Sequence, residues 1–545
     1  KHFLKHSWLV IIACFAVTVA LAIPLASISI ESATRIYMPK NSDSYRRLIS
    51  TEEEFGSMIS VGISLETNGE TILTPEYIEV IREITEKIEN LEKIDSVDSL
   101  TNIDFVYSLD GGLAAGDLLD EDYSGSAADI KSIKSKIVDW QEMYNRVIVD
   151  DDFHSAQVIA TIESFWYDES GAKITLSAKE QIGILKQIEG IANDCVKGHD
   201  LSVRFYGEPV VSDNMKTFMM SDLIILVPLV VLVVLVSLYC SFHTLSGTLL
   251  PLIAVLMSTV WTCGIMALTG VMFTIIASVI PIALIACGSA YGIHVMTHYY
   301  AALEKTDGAM TKEKHLEAIC AGLKSVWSGV LFAAVTTVAG FISLVTSPMG
   351  PLKSFAVFTA LGIVFAFVLS VTFIPAMLYV TPLDRIGKKL STGISKKIKS
   401  RIKRRLQLEN IRRGGKTEQE ANGTTLYNIY HFFTGTKIRL VLFSLVIVFM
   451  SAWGVSRLVI DTSIVNYFPA TCDFRKDIDY VNENFAGTGS VYFVVSGQEK
   501  GDLTKPEILK AVDNLQIYLQ ERYPERIGKI VSFTTFIKRM NQVMH

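Results

Sequence analysis

The chain carries little charge and lacks the patterns that mark an enzyme. Only 19% of its 545 residues are Asp, Glu, Lys or Arg. It contains no phosphate-binding loop, nucleophile elbow or zinc spacing. It therefore reads as a non-enzyme with no cofactor and no metal. The acidic runs Asp120-Glu121-Asp122 and Asp150-Asp151-Asp152 lack the Gly and distal Glu of a calcium loop and read as solvated loop acids. The seven cysteines show no ligand spacing. Cys14, Cys240, Cys263 and Cys287 fall in or beside apolar runs, where Cys behaves as a small hydrophobe, and whether Cys195 or Cys472 is oxidised stays open. Nucleic-acid binding has no folded reader module to support it.

What the chain has in excess is apolar sequence. Half of its residues are hydrophobic and the mean hydropathy is +0.36, which several runs of membrane-spanning length explain. Charge is segregated. Residues 31–220 hold 36 Asp/Glu against 17 Lys/Arg, whereas residues 385–416 hold 13 Lys/Arg against the single acid Glu409. The positive-inside rule reads the basic stretch as cytoplasmic and places the acidic one outside.

These patterns divide the chain into a first transmembrane helix (1–29), an extracytoplasmic domain (30–220) and five clustered transmembrane helices (221–382). A basic cytoplasmic linker (383–436), a seventh transmembrane helix (437–457) and the start of a second extracytoplasmic domain (458–545) follow. Alternating sides from a cytoplasmic N-terminus puts the linker inside, so parity and charge agree. Within 30–220, strand-like Met58–Leu65, Ile94–Leu100, Ala156–Ile162 and Leu201–Tyr206 alternate with helix-like Thr74–Leu91, Ala128–Tyr144 and Ala178–Cys195, which predicts compact α+β units of the split βαβ kind. Gly111–Ser126 reads as a loop or flexible insertion. The linker's KKIKSRIKRRLQLENIRR is expected to touch anionic lipid.

The stretch on which the rest converges is Val271–Tyr300. Ser289, Tyr291, His294 and His298 lie inside this apolar run, where polar and ionisable groups are costly and mark a functional site by default. The plainer alternative is helix packing for Ser289 and Tyr291 and a headgroup position for His298. Gly288, Gly292, Gly322, Gly340 and Gly362 are expected where helices approach closely, and Pro228, Pro281 and Pro375 within spans.

An internal repeat is legible at one offset of 430 residues. Ile30-Glu31-Ser32 and Tyr37-Met38-Pro39 recur as Ile460-Asp461-Thr462 and Tyr467-Phe468-Pro469, Phe55 as Phe485, and Leu73-Thr74 as Leu503-Thr504. Parallel repeats of this kind are a signature of transporters. The second copy stops partway at His545, so the sequence reads as a portion of a longer protein.

With the order of span, external domain, five spans, linker and restart, and with LLPLIAVLMSTVWTCGIMALTG, the GSAYGIH span and VTTVAGFISLVTSPMGPLKSFAVFTALGIVFAFVLSVTFIPAML, the chain resembles the resistance–nodulation–division (RND) superfamily. The likeness is to its hydrophobe/amphiphile exporter, MMPL-like branch. The resemblance implies an α-helical membrane protein with porter-like extracytoplasmic α+β domains, a two-fold repeat truncated in its second half, and a bacterial inner-membrane location with those domains in the periplasm. It implies export of lipids or other amphiphiles, with a periplasmic lipid-carrier lipoprotein as a partner and homo-oligomerisation open. The family pattern in the fourth span is Asp-Tyr-x-x-His, in which the Asp couples protons. Here the Tyr and His are Tyr291 and His294, but the Asp position is Ala290. Either His294, with Tyr291 and Thr336 or Thr337 of the next span, relays protons instead, or this half does not couple. A receptor-like, sterol-sensing or passive lipid-handling protein is the alternative that the missing acid keeps open.

Overall fold

The computed structural model describes residues 6–109, 112–120, 122–167, 170–306, 311–382, 436–459 and 463–544. The basic linker and the Ile460-Asp461-Thr462 part of the repeat lie outside them.

Alternation of apolar and polar residues builds the α+β part. Strand β1 (Ile59–Thr67) sits inside an antiparallel sheet of order β2-β5-β1-β8, with β2 at Ile94–Asp98, β5 at Ser155–Ile162 and β8 at Leu201–Gly207. Val61, Ile63 and Leu65 alternate onto one face and are fully buried in one core with Ile81, Ile84 and Ile88 of helix α3 (Pro75–Glu89) and with Leu185 and Ile188 of the helix at Ala178–Cys195. Thr74 and Ser177 accept the backbone N–H of Tyr77 and Glu180 and so start these two helices where the sequence placed them. The other face of β1 is polar. Ser64 stands in register with Gln157 on one side and Arg204 on the other, and the Tyr206 ring lies over Gly62, where a Cβ would come within 2.0 Å of it.

Two expectations are corrected here. The Gly-rich stretch after Gly111 is no loose insertion, because β3 (Asp104–Leu109) and β4 (Gly112–Asp117) pair as a hairpin. The helix expected over 128–144 breaks at Trp140, whose φ of −130° is not helical, so that Ala127–Asp139 and Gln141–Tyr144 are separate.

Seven helices among the described residues are long and apolar enough to cross a membrane. They are α1 (Ser7–Ala22, with the span running on to Ser27), then Glu208–Phe242, Leu245–Leu268, Val279–Glu304, Lys312–Ser343, Gly350–Val380 and Lys437–Val455. We number these last six α7, α8, α9, α10, α11 and α12, because α2 (Asp43–Phe55), α3, α4 (Ala127–Asp139), α5 (Gln141–Tyr144) and α6 (Ala178–Cys195) belong to the α+β part. The apolar stretch from Val271 begins outside the helix. Gly270 (φ +67°) ends the turn after α8, and Phe273 pairs its backbone with Ser29 and Glu31, so α9 starts only at Val279. Pro281 therefore stands in the first turn of α9, while Pro228 and Pro375 lie inside α7 and α11. The polar segment before Val326 is the first part of α10.

Downstream of α12, α13 (Asp473–Asn484), α14 (Pro506–Arg522) and α15 (Phe533–Met544) follow. Phe474, Ile478, Val481 and Phe485 bury themselves in the core of the first α+β part. Arg204 bridges Glu66 and Asp477, and Arg146 donates to the carbonyls of Glu483 and Phe485. Local geometry recurs along the chain. The 3-10 turn Thr34–Tyr37 has its counterpart at Ile464–Tyr467, and α2 has its own in α13. Ser99 Oγ lies 2.8 Å from Thr101 Oγ1 and accepts the Thr101 N–H, as Ser532 Oγ does with Thr534.

Lys529 ties this segment down by donating to the carbonyls of Gln141 and Asn145. Burial pushes its amine down to about 8. The docked state thus binds fewer protons than the undocked one between that value and the ordinary range near 10.4, and linkage makes docking strengthen as pH rises through this window. Hydrogen exchange of the residues around Lys529 is expected to slow between about pH 8 and 10, after correction for intrinsic rates, and Lys529→Met is expected to remove that slowing.

Candidate functional site

The polar residues of α9 lie in a bundle whose close packing glycine permits. A Cβ on Gly288 would meet Val255 at 2.7 Å, one on Gly292 would meet Pro251 at 2.6 Å, and one on Gly322 would meet the Tyr299 backbone at 2.9 Å. Gly362 likewise receives Leu284. Gly340 makes no close approach, because it lies on an exposed face of α10.

The sequence-predicted residues fall into two groups. Ser289 and Tyr291 are buried. The Ser289 hydroxyl donates to Ala286 O in its own helix, while the Tyr291 side chain crosses to Thr337 on α10. Thr336 and Thr337 each return their hydroxyl to the preceding turn. Ala290 and His294, one helical turn apart, face out of the bundle. His294 has no hydrogen-bond partner among the described residues. Tyr291 and His294 therefore do not meet, and the arrangement joins no proton donor to an acceptor through Ala290. His298 turns back to α10, where its Nδ1 lies 2.6 Å from Ser325 Oγ. It acts as a clamp between two helices.

Sequence reasoning missed a second polar cluster at the end of the bundle near Ser7. His315, only 2% exposed, places its Nε2 3.0 Å from the Tyr299 hydroxyl. The neighbouring Tyr300 hydroxyl lies 2.7 Å from Thr244 Oγ1, pinning the turn between α7 and α8. The signal that could have found His315 is its place on the apolar face of the amphipathic start of α10, beside Ala318, Ile319 and Gly322.

The acidic runs serve turns and ion pairs. Asp150 accepts the backbone N–H groups of His154 and Ser155, and burial pushes its carboxyl up, while Asp120 pairs with Lys136.

A protein of Methanocaldococcus jannaschii named as a membrane protein is 22% identical over 387 residues, covering 70% of this chain and 92% of its own length. The pattern of the MMPL family matches residues 76–408, which run from α3 through all of the clustered membrane helices and into the linker. This chain is a membrane protein of the MMPL family.

Proposed function

We propose that the protein is a transporter of the RND type that moves lipids or other hydrophobic or amphiphilic molecules from the membrane toward its outer side. The observation that carries this reading is an unbroken connection between sheet and membrane. Strand β8, paired along β1, passes through the single residue Gly207 into the 35-residue α7. Gly207 has φ +115°, and a Cβ there would lie 2.2 Å from Ser60 O, so the joint is tightly seated. Arg35 adds to it by pairing Glu52 and Glu208, the first residue of α7. A rotation of α7 would reach the sheet without a slack linker to absorb it.

The acidic excess of residues 31–220 and the basic linker support an inner-membrane chain with the α+β part outside. We read 463–544 as the opening of a second copy of that part, in keeping with the recurring turn, helix and Ser–Thr geometry. Cargo lipid, a soluble or lipid-anchored carrier on the outer side and anionic lipids at the linker are the partners this reading calls for. Ala290 leaves the relay position without a carboxyl, and His294 stands alone, so we assign weak or no proton coupling to this half.

The second reading, a receptor-like protein that binds lipid without releasing it, is favoured by Ala290 alone. Vesicles holding the protein and a fluorescent lipid separate the two. A transporter passes the lipid to a soluble acceptor faster than protein-free vesicles do, whereas a receptor retains it.

A further inference from the structure

The second polar cluster opens into a cavity that the transport reading does not use. It measures about 280 Å³ and lies where three helix ends meet: the start of α1 (Ser7, Trp8), the start of α10 (Lys312, His315) and the end of α11 (Tyr379, Thr381). That volume equals roughly nine waters at about 30 Å³ each. None of its lining residues is acidic. We infer that this cavity binds a phosphate group, carried either by an anionic lipid headgroup or by free phosphate.

Three independent features converge on an anion. Lys312 has no ion-pair partner among the described residues, so its ammonium charge is uncompensated there. His315 is buried and lines the cavity, and with Nε2 engaged by the Tyr299 hydroxyl its Nδ1 is left without a protein partner among the described residues. When the tyrosine donates to Nε2, the ring proton sits on Nδ1, available to an acceptor. Helix α10, 32 residues long, begins at the cavity. Thr311 receives the backbone N–H groups of Lys314 and His315, while those of Lys312 and Glu313 have no intrahelical acceptor. Free N–H groups and the positive end of the helix dipole favour an anion at that point.

The surroundings suit a lipid. Trp8 and Tyr379 on the cavity wall are the residue types that gather at membrane–water interfaces, and basic pockets between membrane helices are where anionic headgroups lodge. A phosphate bound here would tie α1, α10 and α11 together at one end of the bundle.

The test counts lipids retained by the detergent-purified protein in native mass spectrometry, with phosphatidylglycerol, phosphatidylcholine and inorganic phosphate as probes. Lys312→Gln changes an exposed residue at the start of a helix, and His315→Gln removes the ring. The linker is intact in both, so lipids held there cancel in the comparison. One tightly held phosphatidylglycerol that Lys312→Gln weakens about tenfold, the loss of one charge-assisted hydrogen bond, and that His315→Gln weakens too, supports the lipid source. Binding of inorganic phosphate, lost in Lys312→Gln and without a retained lipid, supports the free anion. Equal retention of both lipids, and equal phosphate binding, in wild type and in Lys312→Gln overturns the site.

Discussion

Replacing Arg539 with alanine is expected to release α15 from the α+β part. Its guanidinium is 3% exposed and lies over the rings of Phe105 and Trp140. It donates to Val106 O at 3.1 Å, to Asp139 O at 3.3 Å and to Asp139 Oδ2 at 2.6 Å. Truncation leaves the carbonyls and the carboxylate without their donor and empties the space between two rings. Breaking a buried pair from one side costs about 3–5 kcal/mol. Asp139 is half exposed and recovers water, so the lower part of that range is expected. Hydrogen exchange should rise across residues 533–544 and along β3 and β4, with the peptides of α8 to α11 unchanged. Arg539→Lys should restore only part of the protection, because a point charge cannot reproduce the fork that reaches two neighbouring chain segments. Unchanged exchange in Arg539→Ala would mean that α15 is held by other contacts.

The second large effect is expected at Gly292. A Cβ there meets the Pro251 Cβ at 2.6 Å and Cα at 2.9 Å, with the Ile374 methyl at 3.3 Å. The proline ring belongs to the backbone of α8, which has to move as a whole. Overpacking by added methylenes costs about 1–3 kcal/mol where side chains can yield, and here the obstacle is main chain, so Gly292→Leu should exceed that range. The expected result is loss of the monodisperse protein after detergent extraction, with a sharp fall in thermal midpoint for any that survives. Gly340→Leu is the matched control. It adds the same side chain to α10 where nothing lies within 4 Å, and it should extract like the wild type. Equal yields of the two variants would contradict the packing of α8 against α9.

Much of the architecture was legible because its signals are local. Runs of apolar residues announce spans, and Thr74-Pro75 and Ser177 with Glu180 announce helix starts through the chemistry of their own side chains. The alternation in β1 survives because one face is wholly buried. What was not legible depends on partners distant in sequence. The β3–β4 hairpin reads as a loop because Gly112, Gly116 and Asp117 have no strand preference of their own. Its pairing is fixed by cross-strand register and by α15, which follows some four hundred residues later. The start of α10 is legible as a polar, helix-compatible segment but not as the opening of a span, because Lys312, Glu313 and Lys314 lie on the more exposed side of a helix whose other side carries His315 and Ile319. Within the candidate site, the sequence named the right helix but could not orient it. Tyr291 is buried and His294 exposed although three residues leave them only about 60° apart round the helix, because the edge of the buried face runs between them. Only the packing of Gly288 and Gly292 against α8 sets which side faces the bundle.

The most direct test of the transport reading follows a fluorescent lipid from reconstituted vesicles to a soluble acceptor, with and without an imposed proton gradient, for wild type and for His294→Ala. The account predicts transfer well above protein-free vesicles in both proteins, with any response to the gradient unchanged by the mutation, since exposed His294 makes no hydrogen bond to Tyr291 or Thr337. No transfer with any of several lipid classes and carriers would contradict transport itself. Gradient-driven transfer abolished in His294→Ala would contradict the absence of a relay in this half.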